Sequence, residues 1–222
     1  MKKILTTFTL SVAAFMGVTA LAGETADSLT ASDAFVRMPA QTLDILTTSM
    51  RLDLLDYYRA DSIYRVPNVM EGLSYLHRPL TRDYVKVQIT PVTTLTLRMM
   101  PWKKKRLVVS VYTIGDSLQA ADSDIRFYDT SMRELDRDRF IKIASTEDFF
   151  NFEGVDRGKR RELLAMIPFP TVEYTLDPES SELHARLTSD EFLSKETVEK
   201  ITPYLRRDRI YRWTGDKFEI QK

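Results

Sequence analysis

The chain contains no cysteine, only two histidines and seven glycines in 222 residues. Without cysteine there is no disulfide framework, thiol nucleophile, iron–sulfur cluster or Cys-based zinc site. His77 and His184 stand too far apart to form the local pairs on which metal motifs rest, so neither a metal nor a cofactor is expected. An excess of one charge is missing too. The 32 Lys and Arg balance 32 Asp and Glu, which removes the basic field of a protein that coats nucleic acid. Beyond the N-terminus no hydrophobic run is long enough to cross a bilayer, so no transmembrane segment is expected in the mature chain. What is present is an ordinary globular composition, 43% hydrophobic and 29% charged.

Met1-Lys2-Lys3 followed by an apolar stretch from Ile4 to Leu21, ending in Ala20-Leu21-Ala22, has the layout of a cleaved signal peptide. No cysteine follows it to carry a lipid. The expected organisation is therefore a signal peptide over 1–22, an N-terminal part over 23–144 and a C-terminal part over 145–222. The mature protein would be periplasmic or secreted, and in an oxidising compartment it must hold its fold by packing alone.

Helical patterns open the mature chain, with Pro39 placed to start one over Ala40 to Leu46 and a second beginning near Met50 behind Thr48 or Ser49. In the second, Met50, Leu54, Tyr57 and Tyr58 mark the apolar face, and Arg51, Asp53, Asp56 and Arg59 are expected on the solvated surface. Residues 61–82 show no clear period. From Val85 the period becomes two, and strands are expected at Val85 to Thr90, Thr94 to Met99, Leu107 to Ile114 and Asp124 to Asp129 as an antiparallel meander. Lys103-Lys104-Lys105-Arg106 reads as a charged hairpin tip that keeps the sheet soluble. The C-terminal part offers helices near Ser145 to Phe150 and Val155 to Met166, and strands through Val172 to Leu176 and Leu183 to Leu187. A capping box at Thr188 to Glu191 and a hairpin about Gly215-Asp216 follow, the hairpin pairing Trp213 with Phe218 and Tyr211 with Ile220. The fold class is α+β, with antiparallel sheets, helices on one face and a suggestion of two similar α-plus-four-strand halves.

Two motifs come close to known chemistry. Gly154 to Arg160 resembles a phosphate-binding loop, but it has one residue too few between its glycines and Arg160 where a Ser or Thr is needed. Gly115-Asp116-Ser117-Leu118 resembles the motif that names the GDSL esterases, which would make Ser117 the nucleophile and His184 its base. The Asp that should precede that histidine by three residues is Ser181, and no Gly-x-Asn-Asp block exists. A third alternative, a calcium-binding envelope protein, draws on Asp116, Asp122, Asp124 and Asp129, which lack the spacing of a calcium loop.

The segments Met38-Pro39, Arg51 to Tyr58, Leu80 to Tyr84 and Asp124 to Asp129, behind a signal peptide, resemble a domain-of-unknown-function family of secreted proteins from the Bacteroidales group. That resemblance covers Asp33 to the C-terminus and implies localisation and fold, with no activity attached. The leading expectation is a non-enzymatic binding module whose partner is a protein or envelope ligand. Strand parity puts Val85, Val87, Ile89, Leu95, Leu97, Met99, Ile125 and Phe127 on one apolar face toward the helices and Arg98, Tyr112, Arg126 and Tyr128 together on the exposed opposite face as the partner-binding residues, because Arg and Tyr are enriched where proteins grip one another.

Overall fold

The computed structural model describes residues 29–60, 65–116 and 119–221; the expected signal peptide and Ser117 lie outside the described residues. Two helices, α1 (Ala31–Arg37) and α2 (Thr48–Arg59), come first. A sheet follows in strict sequence order: β1 (Val66–Pro67), β2 (Leu73–Leu76), β3 (Tyr84–Thr90), β4 (Thr93–Trp102), β5 (Lys105–Asp116), β6 (Gln119–Tyr128) and β7 (Glu134–Leu135). Short 3-10 turns and α3 (Arg157–Ala165) lead to β8 (Val172–Leu176) and β9 (Glu182–Leu187), then α4 (Lys195–Ile201), β10 (Asp208–Trp213) and β11 (Phe218–Ile220). These last four strands form a second sheet in the order β11-β10-β9-β8, and every pairing in both sheets is antiparallel. The α+β class expected from the sequence is what the chain builds. The large sheet lies wholly before residue 145 and the small one wholly after it, with seven strands where alternation alone marks four.

The large sheet is the middle layer. On one face Val85, Val87, Leu95, Leu97 and Met99 pack with Ala34, Phe35, Leu54 and Leu55 of the two helices. On the other, Leu107, Val109, Val111, Ile125 and Phe127 pack against Val172, Tyr174, Leu183, Tyr211 and Phe218 of the small sheet. Burying β5 on both sides explains why Leu107 to Ile114 is a nearly continuous apolar run.

Register decides which residue joins which face. The turn between β4 and β5 holds only Lys103 and Lys104, since Trp102 pairs with Lys105. Odd positions of β4 therefore oppose even positions of β5, as in Leu95↔Tyr112, and even meets even across β5 and β6, as in Tyr112↔Asp124. Ile125 and Phe127 consequently lie on the opposite face from Leu95 and Leu97, which corrects the single apolar face expected for them.

Other corrections share the pattern of local signals overruled by packing. Pro39 does not open a helix; α1 ends before it, and the chain crosses to α2 in turns. Those turns are fastened by Arg51, expected on the surface but 1% exposed. Its Nε donates to the Leu46 carbonyl at 2.8 Å, Nη1 to Met38 at 2.6 Å and Val36 at 3.1 Å, and Nη2 to Leu43 at 3.1 Å. A guanidinium with a fork of donors satisfies carbonyls that α1 and the loop leave unpaired. The capping box at Thr188 does not form: that hydroxyl donates to the Ala121 carbonyl of β6 at 2.6 Å, and a 3-10 turn over Ser189–Phe192 stands there instead, with α4 capped by Ser194. The terminal hairpin has the register expected of it, Trp213↔Phe218 and Tyr211↔Ile220.

Candidate functional site

On the helix-side face of β5 and β6, Val108, Ser110 and Tyr128 are buried, whereas Tyr112, Asp124 and Arg126 are partly exposed. Leu95, Ser110, Tyr112, Asp124 and Arg126 share that face by register, and Thr42 reaches over them from the loop fastened by Arg51. Together they line a cleft of about 110 Å³. A broader groove of about 360 Å³ shares its Asp124–Arg126 wall and continues past Glu134, Asp136 and Asp138.

Its electrostatics are acidic. Arg126 Nε lies 2.6 Å from Asp124 Oδ2, and Nη1 lies 3.7 Å from Glu134 Oε2, all three side chains being roughly half exposed. The hydrogen bond to Asp124 is the first cause holding the Arg126 guanidinium above its ordinary pKa. Burial, and then the negative charge of Asp44, push the Tyr112 hydroxyl up. Beneath them Tyr128 is 1% exposed. Burial pushes its hydroxyl's pKa up, while hydrogen bonding with Thr42 and the charge and hydrogen bonding of Arg126 act the other way.

Of the expected partner-binding residues, Tyr112 and Arg126 line the cleft, while Tyr128 shares their face but is buried beneath it, which corrects the exposure expected of it. Arg98 does not join them. An even position of β4, it faces the small sheet opposite Tyr84, is 9% exposed, and the expectation that all four cluster on one exposed surface is corrected. The physical reason is the two-residue turn, which puts Arg98 and Tyr112 on opposite faces. Burial draws the Arg98 guanidinium below its ordinary pKa, while Asp177 and Asp83 act on it in the other direction. Thr42, Ser110 and Leu95 carried no functional signal in the sequence: Thr42 belongs to a loop placed by Arg51, and the other two read as strand residues.

The alternative chemistries meet their residues elsewhere. Gly115 and Asp116 end β5, which pairs antiparallel with the next strand β6, where the esterase motif needs a strand-to-helix elbow. Gly115 serves the bend: its φ is +117°, and a Cβ there would sit 2.6 Å from Ala121 Cα. His184 is on the outer face of the small sheet, 3.8 Å from Glu182. Among the calcium candidates, Asp122 accepts from the Val172 amide, Asp124 holds Arg126, and Asp129 caps its own turn and pairs with Arg133. No group of three His, Asp or Glu side chains converges on a metal position among the described residues. The loop at Gly154 to Arg160 starts α3, with Asp156 accepting from the Gly158 and Lys159 amides. A further cleft of about 400 Å³ between Tyr211, Phe218 and the Asp138–Lys142 segment mixes both charge signs. Among the described residues no helix is long and apolar enough to cross a membrane.

No curated protein matches the chain. Among solved structures it is similar to a domain of an uncharacterised protein from Porphyromonas gingivalis W83, with 26% identity and a TM-score of 0.73, covering 86% of this chain and 96% of that one. The profile of a protein family of unknown function, DUF3256, matches residues 24–218. That match takes in all the helices described above and both sheets up to the first residue of β11, and the chain belongs to the DUF3256 family.

Proposed function

We propose that the protein is an exported, non-enzymatic binding module that takes a basic side chain of a partner protein into the cleft between Tyr112 and Arg126. The observation that carries this reading is the charge around the opening. Asp44, Asp124, Glu134, Asp136 and Asp138 outnumber Arg126 and Arg137 there, beside an aromatic ring. At about 110 Å³ the cleft falls below the range of roughly 300–1,000 Å³ typical of small-molecule sites and suits the head of one lysine or arginine. Tyr112 supplies a ring for a cation, worth about 0.5–1 kcal/mol where exposed and more when desolvated. The half-exposed Arg126 pairs are worth about 1 kcal/mol or less, so an incoming cation can compete for Asp124 at small cost. Export rests on the pattern from Met1 to Ala22.

Fluorescence anisotropy with a labelled Lys/Arg-rich nonapeptide and its Glu-substituted twin tests the reading. The basic peptide should bind, the acidic twin should not, and Asp124→Asn combined with Glu134→Gln should weaken binding about tenfold, or ~1.4 kcal/mol. Equal binding of both peptides, or an unaffected double variant, would sink it.

A further inference from the structure

We infer that the end of the molecule formed by the β4–β5 turn is a second, separate site, for a polyanionic saccharide bearing sulfate or phosphate groups. Lys103, Lys104, Lys105 and Arg106 are consecutive, and the first three are exposed. Register sends Arg106, opposite Pro101, to the helix side and Lys105, opposite Trp102, to the small-sheet side. Cations therefore leave the tip on both faces. On the helix side they line a cleft of about 560 Å³ together with Arg82 and Asp83. On the other they line one of about 440 Å³ with Trp102 and Arg139. Lys103, Lys104 and Lys105 are common to both, which fits an extended ligand draped over the tip better than a single small anion.

The hairpin that carries the cations is also held in place, and its charge is incompletely neutralised. The Trp102 Nε1 donates to Asp216 Oδ1 at 3.0 Å, tying the tip to the β10–β11 turn, and its ring meets Phe140 edge-on at 5.3 Å. Arg139 lies over the indole at 5.0 Å and Lys103 at 5.6 Å. Asp83 is taken by Arg106, and Asp216 stands 3.7 Å from Lys103, whereas Lys104, Lys105 and Arg139 have no carboxylate partner within ion-pair range among the described residues. A fastened hairpin loses little backbone freedom on binding, which favours affinity. The same fastening selects the ligand class. With its N–H committed and its ring beside Arg139, Trp102 is not available to enter a bilayer or stack on a base, as membrane and single-strand binders require.

Retention of size-defined heparin, measured across a salt series, is the test, with phosphatidylglycerol vesicles and single-stranded DNA as competing probes. Heparin should bind at low salt with affinity falling steeply and linearly in log salt. Lys104→Glu with Lys105→Glu should weaken it at least tenfold with melting temperature nearly unchanged, whereas Lys195→Glu, a lysine on exposed α4, should not. Asp124→Asn with Glu134→Gln should leave heparin binding intact, which separates this site from the acidic cleft. Absence of heparin binding at low salt, an unaffected double-lysine variant, or preference for vesicles or DNA over heparin would overturn the inference.

Discussion

Arg51 shows how one side chain can organise a region that propensity leaves undefined. Its guanidinium is desolvated, and burial pulls its pKa below the ordinary value, yet the charge is answered by carbonyl oxygens of the segment from Phe35 to Leu46. Removing the fork leaves those carbonyls unsatisfied, so Arg51→Ala should destabilise by about 3–5 kcal/mol in urea unfolding. Arg51→Lys should recover only part of that, because an ammonium cannot serve carbonyls in so many directions. If the lysine variant unfolds like the wild type, the fork is not what fastens the loop. The residue was invisible as a core residue in the sequence. Helical periodicity placed it beside Asp53 on the polar face, and only the loop folding back over α2 reverses that. Asp56 and Arg59, by contrast, pair at the surface at 3.1 Å as expected for residues three apart on a helix.

At the scale of elements, what the sequence disclosed was alternation within a strand, and what it withheld was alignment between strands. β3 to β5, β8 and β9 fall where their patterns put them, while β6 begins at Gln119, ahead of the Asp124 expected. β1, β2 and β7 are too short to show a period, and β2 lies in the stretch that showed none. The terminal hairpin was legible with its register because Gly215, at φ +95°, marks the turn and the large apolar residues then share a side. The β4–β5 tip carries no such marker: Lys103 takes φ +54° without being glycine, and a register one residue different sends Tyr112 to the other face. Half of the candidate site was therefore readable as residues, and its membership was not. The bend at Gly115 belongs to the same scale. Gly115→Ala forces a Cβ against Ala121 and the Ala120 carbonyl at a φ that L-residues rarely adopt, so it should cost about 2 kcal/mol or more by denaturant unfolding. A cost below about 0.5 kcal/mol would mean that the β5–β6 bend tolerates another backbone path.

For the whole molecule, a net charge of zero hides a separation of charge. Acidic residues gather around the Tyr112 cleft and basic ones around the Trp102 hairpin, while the outer face of the small sheet ties its charges together, with Arg186 near Glu173 and Glu191 and Arg212 on Glu182. Overall composition averages this away, which is why neutrality excluded a uniformly basic surface without excluding local ones. The three-layer arrangement makes the separation possible, since the helices pack on one face of the large sheet and the small sheet on the other, with Tyr112, Asp124 and Arg126 left partly exposed at the cleft. The N-terminal segment gives the proposal its cellular setting. Protein recovered from the cell envelope should begin at Gly23 by N-terminal sequencing; a chain retaining Met1 there would contradict cleavage after Ala22.

The central claim is where a basic partner binds, and an amide chemical-shift titration of the isotopically labelled protein with the Lys/Arg-rich peptide reads that most directly. The account predicts that the largest shifts fall on Thr42, Ser110, Tyr112, Asp124 and Arg126, with His184 and the rest of the small sheet's outer face unmoved. Shifts concentrated on that outer face, or spread evenly over all exposed acidic residues with Ser110 and Tyr112 silent, would contradict it.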